Sequence, residues 1–328
     1  MRLDAARASV STLVDEMALD VRAGLSGPGQ KSLPSRYLYD DLGSALFEAI
    51  GYLPEYGLTR ADERILRAHA PEIVAAAGRP RTVVELGSGS GRKTRWILEA
   101  LGTQRRPVAY YPIDISSAAL LRCELELSRL PGVRVEPTEA DYLSGLSLVA
   151  SQRRNDEPLL LLFLGSTIGN FEPKDATEFI REVRRRLRPG DGFLLGTDLV
   201  KPKTVLIPAY DDALGVTAAF DLNLLHRMNR ELDAEFDLDR FQHEARWNAK
   251  ERRVEMHLVA RSAHTVRIQA IDLGVDFRAG ESIWTESSYK FDAGEPKRIA
   301  GRTSYSCVGQ WLDGEWPFAE SLLVATSA

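Results

Sequence analysis

Residues 82–94 read TVVELGSGSGRKT, and this stretch decides the fold. It begins as a short apolar strand, passes through a glycine turn and ends where a helix begins. Glycine suits such a turn because it accepts sharp backbone angles and lets a ligand approach the backbone closely. The helix after the turn would present free N–H groups to that ligand. The stretch therefore predicts a strand, turn and helix that bind a cofactor.

The spacing of the glycines separates the possible cofactors. A dinucleotide fold requires G-x-G-x-x-G, and residues 87–91 lack its third spacing. The phosphate-binding pattern G-x-x-x-x-G-K-[ST] is also missing, because no Gly-Lys-Ser/Thr follows. An acid followed by G-x-G, as in residues 85–89, resembles motif I of the class I S-adenosylmethionine (SAM)-dependent methyltransferases. The alternative is a generic strand-to-helix turn.

The composition is that of an ordinary globular protein. The chain has 328 residues, 44% hydrophobic and 27% charged, which suits one large domain or two modest ones. A net charge of -5 and a pI of about 5.7 favour neither nucleic acid nor an anionic membrane as partner. The N-terminus has no signal-peptide pattern, and no apolar run reaches about 18 residues. We expect a cytoplasmic monomer without a membrane span.

The cysteines and histidines indicate neither a disulfide framework nor a metal site. Cys123 and Cys307 are far apart and form no C-x-x-C pattern, which suits a reducing compartment. The five histidines have no metal-ligand spacing with the cysteines or with one another. We interpret them as surface or core residues and expect no metal.

Strands and helices alternate along much of the chain. Residues 158–164 form a continuous apolar run, typical of a strand buried on both faces of a parallel sheet. The turn LRPGDG at 187–192 is common in class I methyltransferases. We predict a doubly wound, Rossmann-like α/β sheet with its ligand at the carboxyl ends of the strands. The predicted elements are strands 83–86, 108–115, 133–135, 158–164 and 193–199, and helices 59–76 (capped by Thr59), 117–130 and 173–187.

Residues 200–290 have a different pattern. Apolar residues alternate with polar ones in 254–260 and 266–270, which predicts antiparallel strands. We interpret this part as an inserted α+β domain that binds substrate. The predicted substrate-binding or lid domain is 1–58 plus 201–290, with helices 4–24, 44–50 and 216–233; the SAM-binding domain is 59–200 plus 291–328, closed by a hairpin of 304–308 and 321–325.

Two acids lie at or after the ends of the second and third predicted strands. Asp114 ends the second strand, roughly 20 residues past the glycine turn, where nucleotide-binding α/β folds place an acid that accepts ribose hydroxyls. The alternative is that Asp114, or Ser116 after it, only caps the next helix. Asp141 and Tyr142 follow the third strand, where they would reach an adenine.

Several further motifs occur together and extend over nearly the whole chain. The most specific are FLGSTIGN at 163–170 and AYDD at 209–212, accompanied by KSLP at 31–34, LPEY at 53–56 and TESS at 285–288. Together they resemble the histidine Nα-methyltransferases of ergothioneine biosynthesis. Such enzymes convert L-histidine to its trimethylammonium betaine, hercynine, with three molecules of SAM.

The resemblance implies roles for matching residues. Two departures from the family pattern, Tyr289 and the pair Gly57-Leu58, concern the shape of the pocket. Tyr39 is the candidate proton acceptor. The implied cofactor-binding residues are Gly87, Ser88, Gly89, Lys93, Asp114, Asp141 and Tyr142, and the implied substrate-binding residues are Tyr56, Asn170, Tyr210, Met256, Glu286 and Ser288.

Glu286 and Ser288 suit an imidazole ring. A carboxylate accepts an imidazole N–H, and a serine hydroxyl can donate to or accept from the other ring nitrogen. Their i, i+2 spacing puts both on one face of a strand; the alternative is an exposed strand pair. Tyr39, Phe47 and Tyr56 could stabilise the methylated cation by cation–π contacts, although Phe47 also suits a helix core position.

Two other functions stay open. One is Nα-methylation of another aromatic amino acid such as tryptophan, which loss of the acidic partner of the imidazole would signal. The other is a SAM-binding module without catalysis, which would bind the cofactor and methylate no amino acid.

Overall fold

The computed structural model describes residues 2–102, 107–153 and 157–327, with side chains from residue 14 onward. Contacts between Cα atoms divide the chain into two compact units. The large unit comprises Gly57–Lys201 and Tyr289–Ala328, and the small unit comprises Met1–Tyr56 and Pro202–Ser288. Within the described ranges, every helix is either too short or too polar to span a bilayer.

The regular elements of the described residues are numbered in chain order. The helices are α1 (Arg2–Leu25), α2 (Asp41–Ile50), α3 (Gly57–Ala76), α4 (Arg95–Gly102), α5 (Ser117–Leu127), α6 (Tyr142–Gln152), α7 (Pro173–Arg186), α8 (Lys203–Tyr210), α9 (Val216–Leu232) and α10 (Glu295–Arg302). The strands are β1 (Lys31–Ser32), β2 (Thr82–Leu86), β3 (Val108–Asp114), β4 (Val133–Val135), β5 (Thr138–Glu139), β6 (Leu159–Phe163), β7 (Gly192–Asp198), β8 (Phe241–Asn248), β9 (Arg253–Ala260), β10 (His264–Ile268), β11 (Leu273–Phe277), β12 (Ser282–Tyr289), β13 (Tyr305–Leu312) and β14 (Phe318–Ala325).

A largely parallel sheet forms the middle of the large unit. Its strands lie in the order β13-β14-β7-β6-β2-β3-β4, with β5 beside β3. β2, β3, β4, β6 and β7 pair in parallel, whereas β14 is antiparallel to both of its neighbours. From β2 the chain continues to β3 and β4 on one side, whereas from β6 it continues to β7 on the other side. The carboxyl ends of β2 and β6 therefore form a topological switch point, where such sheets bind ligands. The predicted doubly wound α/β class is confirmed, and the glycine turn after β2 lies at the switch point.

The continuous apolar run of β6 is explained by burial on both faces of this sheet. All five of its residues are buried. Leu161 and Phe163 belong to one apolar cluster, whereas Leu160 and Leu162 belong to another. Since successive side chains of a strand point to opposite faces, each face of the sheet is covered by its own core.

Several predicted boundaries in the large unit differ from the structure, such as the helix predicted over 117–130, which ends at Leu127, and two of the differences have a clear reason. The helix predicted to be capped by Thr59 begins two residues earlier, at Gly57. A Cβ on Gly57 would lie 2.1 Å from Trp316 Cε3, so close packing places this glycine and outweighs the local capping signal. The closing hairpin is also longer than predicted: Gly309 is not a strand breaker but lies at a β-bulge, where the register between β13 and β14 shifts.

The small unit contains a sheet in the order β1-β12-β9-β8 and a separate pair of β10 with β11. β8 pairs antiparallel with β9, and β10 with β11, as the alternating patterns predicted. The alternation was extended too far at Ala270, because the chain turns into a short 3-10 helix at Gln269–Ile271. β12 lies between β1 and β9, so this inner strand holds Glu286 and Ser288 in a buried position.

Candidate active site

The glycine turn of the large unit has two differently packed halves. Gly87, Gly89 and Gly91 all have positive φ angles, of 69°, 53° and 67°. These are left-handed conformations that favour glycine. A Cβ on Gly91 would lie 2.6 Å from Cys123 Sγ, whereas none of the described heavy atoms outside its neighbours lies within 4 Å of a Cβ on Gly89. The turn is therefore tightly packed at Gly91 and leaves space for a ligand at Gly89.

Asp114 connects the end of β3 to this turn. Its Oδ2 accepts the Gly89 N–H at 3.1 Å, and its Oδ1 accepts the Ser116 N–H at 3.0 Å. The side-chain cap of α5 is Ser116, whose Oγ accepts the Ala119 N–H at 3.2 Å. Capping therefore accounts for Ser116 and not for Asp114. Each carboxylate oxygen of Asp114 has a second lone pair, with which it can accept a further donor.

The acid of the glycine motif has a different position. Glu85 is buried and accepts hydrogen bonds from Thr94 Oγ1, at 2.7 Å, and from the Tyr110 hydroxyl. Burial raises the pKa of Glu85 to about 7, although both hydrogen bonds act to lower it. Glu85 therefore connects β2, β3 and the start of α4 inside the core.

Asp141 and Tyr142 lie where β5 leads into α6. Asp141 caps this helix, since its Oδ1 accepts the N–H groups of Leu143 and Ser144, each at 3.0 Å. Partial burial opposes ionisation, but these hydrogen bonds lower the pKa of Asp141 below its usual value. The Tyr142 hydroxyl lies 3.3 Å from the position of a Cβ on Gly87, which places this tyrosine beside the glycine turn.

Lys93 is held by Asp62, an acid for which the sequence gave no functional signal. Asp62 is fully buried on α3, and its Oδ2 accepts both the Lys93 ammonium and the Gly165 N–H, the latter at 2.9 Å. Gly165 lies just after the end of β6, and Lys93 lies after β2, next to the glycine turn. Asp62 therefore connects the ends of the two strands that form the switch point. No motif marks Asp62, because its partners are distant in sequence.

The FLGSTIGN motif shapes the end of β6. Gly165 and Ser166 have left-handed φ angles of 68° and 59°, and Ser166 Oγ accepts the Asp198 N–H at 2.9 Å. A Cβ on Gly169 would lie 2.9 Å from the Tyr289 carbonyl oxygen. The motif thus ends β6 in a sharp turn that leads into a short 3-10 helix, Thr167–Asn170, whose last residue is the predicted substrate ligand Asn170.

The small unit places Glu286 and Ser288 as a buried pair. They are 8% and 7% exposed, so the alternative of an exposed strand pair is wrong. The Tyr39 hydroxyl donates to Glu286 Oε1 at 3.0 Å, and the Tyr210 hydroxyl shares a hydrogen bond with Ser288 Oγ at 2.8 Å. Each member of this pair therefore has a tyrosine partner from another part of the small unit.

Further aromatic rings pack against Tyr39 and Tyr210. The ring of Phe47 contacts those of Tyr39 and Tyr56 edge-on, with centroid separations of 5.5 and 6.5 Å, and Tyr56 contacts Tyr210 at 5.9 Å. Phe47 is 39% exposed, so its interpretation as a helix core residue is wrong. Phe220, which sequence reasoning missed, lies 5.4 Å from Tyr39 and 5.9 Å from Phe47.

The remaining predicted residues have less distinctive surroundings. Met256 is buried in β9, and its carbonyl oxygen accepts the Thr285 hydroxyl of β12 at 3.1 Å. Asn170 belongs to the large unit, whereas the other predicted substrate residues belong to the small unit. Tyr289, a departure from the family pattern, is buried and donates its hydroxyl to Glu172 Oε2 at 2.5 Å.

The sheet order, with a glycine turn and a carboxylate at its switch point, suits an α/β fold that binds a nucleoside-containing cofactor, and the class is that of the SAM-dependent methyltransferases. A family model described as histidine-specific methyltransferase, SAM-dependent, matches residues 17–325. The chain belongs to this family.

Two similar proteins have names that match the description of the family. The chain is 42% identical over 320 residues to a histidine N-alpha-methyltransferase of Mycolicibacterium smegmatis, covering 96% of this chain and 97% of the relative. It is 46% identical over 310 residues to the protein of the same name from Mycobacterium tuberculosis, covering 92% and 93%. An L-tryptophan methyltransferase of Psilocybe serbica is more distant, at 26% identity over 318 residues, covering 88% and 87%.

Proposed function

We propose that this protein transfers three methyl groups from SAM to the α-amino group of L-histidine, forming hercynine in the first step of ergothioneine biosynthesis. The family and the two relatives named for histidine support this proposal. The observation that carries it is the buried pair of Glu286 and Ser288 on β12, since these residues suit an imidazole ring.

The buried pair also accounts for selectivity. A neutral imidazole has one N–H donor and one acceptor nitrogen, which match the carboxylate of Glu286 and the hydroxyl of Ser288. A site built for such a group rejects substrates that lack it, because the buried polar atoms of the site would then lose their partners. Tryptophan has one ring N–H and no ring acceptor, so Ser288 would lack a ring partner. The pair therefore favours histidine over tryptophan.

The residues around the glycine turn suit SAM. The open side of Gly89 admits a ligand to the backbone, and Asp114 can accept ribose hydroxyls in addition to its two N–H donors. Lys93 offers a cation for the carboxylate of the cofactor, and Tyr142 and Asp141 would lie at the adenine. When bound, SAM supplies an electrophilic methyl group together with its own leaving group.

The protein's own contribution to the reaction is binding and orientation. The amino nitrogen of histidine must be neutral and in line with the methyl carbon, and positioning of this kind accounts for much of catalysis. We propose that Asn170, Tyr210 and Tyr56 bind the amino-acid head group, with Met256 beside the ring. Tyr39 is the proposed proton acceptor, and the rings of Tyr39, Phe47 and Tyr56 would stabilise the growing cation by about 0.5–2 kcal/mol each.

We further propose that the enzyme acts as a monomer in the cytoplasm. The two thiols, Cys123 and Cys307, are both free, which suits a reducing compartment. Gel filtration combined with light scattering measures the mass of the particle, and the expected value is that of one 36.4 kDa chain.

Mass spectrometry of reaction mixtures tests the proposed function. The protein is incubated with SAM and with each amino acid in turn, and the products are weighed. We expect histidine alone to gain three methyl groups, while tryptophan stays unmodified. Trimethylation of another amino acid, with histidine unchanged, would contradict the substrate assignment. Binding of SAM without turnover of any amino acid would favour the module without catalysis.

Lys93→Ala should weaken SAM binding by roughly 10- to 100-fold, because a charged hydrogen bond contributes about 1.5–3 kcal/mol. Isothermal titration calorimetry with SAM measures the effect. Arg95→Ala is the matched control, since Arg95 is a neighbouring cation of α4 whose partner is Glu99; it should change the affinity less than about twofold. Equal effects of the two substitutions would contradict a specific role of Lys93.

A further inference from the structure

The imidazole of a buried histidine contacts the backbone carbonyl of Tyr210, whose hydroxyl contacts Ser288. His243 lies on β8, and its Nε2 is 2.7 Å from the carbonyl oxygen of Tyr210. Its Nδ1 is 2.8 Å from Oδ2 of Asp221, which lies on α9. The side chains of His243 and Asp221 are 1% and 0% exposed. The imidazole therefore joins the end of α8 to the middle of α9 inside the small unit.

Both partners of this imidazole are acceptors, which determines its protonation. A carbonyl oxygen only accepts, so Nε2 must carry a proton and donate it. Nδ1 faces a carboxylate oxygen, and a hydrogen bond there requires a second proton between them, on the ring or on Asp221. If one of the two protons leaves, a ring nitrogen and an acceptor oxygen face each other with lone pairs only, at 2.8 Å on the Asp221 side or 2.7 Å on the Tyr210 side. The arrangement is therefore stable only while the pair retains the shared proton.

The contacted carbonyl lies at a helix terminus. Tyr210 is the last residue of α8, and the last carbonyl groups of a helix have no partner within it. A positive charge near a helix C-terminus is stabilised by the helix dipole. Protonated His243 thus both satisfies the carbonyl of Tyr210 and places a charge where the helix favours it. Oδ1 of Asp221 has no hydrogen-bond partner among the described residues, and Oδ2 is the oxygen that contacts His243.

Tyr210 connects this arrangement to the proposed substrate pocket. Its hydroxyl shares a hydrogen bond with Ser288, and its ring contacts Tyr56. The side chain of Tyr210 is attached to the backbone that His243 contacts. A displacement of this backbone would therefore move the Tyr210 hydroxyl away from Ser288. We propose that His243 and Asp221 are positioning residues for histidine binding, and that the proton they share makes the affinity for histidine depend on pH. This proposal rests on the proposed function.

The surrounding charges favour retention of the proton. Burial lowers the pKa of His243, but Asp221, the Tyr210 carbonyl and Asp211 outweigh it, so the pKa lies above its usual value near 6.5. Glu244, the next residue of β8, is a further acid nearby, and its own pKa is lowered chiefly by Arg246. Because the folded-state pKa is raised, the stabilisation is complete below about pH 6.5 and is lost as pH rises through the folded-state value.

A substitution of Asp221 can keep both hydrogen bonds of His243 while removing the need for the shared proton. In Asp221→Asn the side-chain amide can donate to Nδ1 of a neutral imidazole, while Nε2–H still donates to Tyr210. We expect this variant to keep the histidine KM of the unaltered enzyme within about threefold at pH 7. The rise in KM at alkaline pH should be smaller than in the unaltered enzyme. Titration of the substrate itself is the same in both proteins, so the ratio of their KM values isolates the contribution of the pair.

Removal of the imidazole tests the positioning role. His243→Ala should lower kcat/KM for histidine by roughly 10- to 100-fold, mainly through KM, with SAM binding unchanged. His264→Ala is the control, since that imidazole contacts Ser262, Phe241 and Phe277 instead. Should His243→Ala fail to fold, as judged by thermal melting, the pH profile of Asp221→Asn still decides.

The outcomes distinguish this inference from the proposed function. If the unaltered enzyme methylates histidine and His243→Ala leaves its KM unchanged, the positioning role is wrong. If Asp221→Asn shows the same alkaline rise as the unaltered enzyme, the shared proton is not responsible for it. If the unaltered enzyme does not methylate histidine at all, the proposed function itself fails.

Discussion

Replacing Glu286 with alanine is expected to raise the KM for histidine by roughly 10- to 100-fold. Glu286 is 8% exposed and its carboxylate already accepts the Tyr39 hydroxyl, so a bound imidazole N–H would meet it with little competition from water. A hydrogen bond to a charged group contributes about 1.5–3 kcal/mol, which corresponds to that range. SAM binding should change less than about twofold, because the proposed cofactor residues belong to the large unit.

Two further substitutions control this experiment. Glu286→Gln keeps the size of the side chain and one acceptor oxygen but removes the charge, so its effect should be intermediate. Glu251→Ala removes an acid of the same unit that is 44% exposed and pairs with Lys250, and it should leave the histidine KM unchanged. Steady-state kinetics with varied histidine and saturating SAM measures all three. An unchanged KM for Glu286→Ala would exclude Glu286 as the imidazole partner.

Asp114→Ala is expected to have the opposite pattern, with the affinity for SAM lowered by roughly 100-fold and histidine recognition retained. Two effects add. The ribose hydroxyls lose their acceptor, and the Gly89 N–H loses the oxygen that holds the glycine turn, now 3.1 Å away. Calorimetric titration with SAM measures the loss directly. In kinetics, the KM for histidine should return close to the normal value once SAM saturates the enzyme.

The matched control for this substitution is Asp175→Ala, which removes an exposed acid from the first turn of α7 in the same unit. It should leave SAM binding unchanged, because exposed charges contribute little. A crossed result, with Asp114→Ala affecting histidine and Glu286→Ala affecting SAM, would mean that the two ligands are assigned to the wrong residues.

Features that repeat along the sequence were predicted well. The apolar runs of β2, β3, β6 and β7, separated by helices, determine the doubly wound sheet, because buried parallel strands leave continuous apolar sequence. The glycine spacing located the turn at the switch point. The i, i+2 spacing of Glu286 and Ser288 correctly put both on one strand, although it left their burial open.

Contacts between distant residues were not predictable. Asp62, Asp221 and His243 are buried polar residues whose partners lie on other elements, and a lone acid or histidine leaves no periodic signal. For the same reason His243 was interpreted only as a surface or core residue. The early start of α3 depends on the packing of Gly57 against Trp316, and these two residues are separated by most of the sequence. Local capping rules do not contain such information.

A crystal structure of the protein with L-histidine and S-adenosylhomocysteine tests the central claim most directly. The account predicts one imidazole nitrogen at a hydrogen-bonding distance of roughly 3 Å from the carboxylate of Glu286, and ribose hydroxyls on Asp114. The amino nitrogen should face the sulfur of the cofactor product. A ring bound away from Glu286, or an amino group turned away from that sulfur, would contradict it.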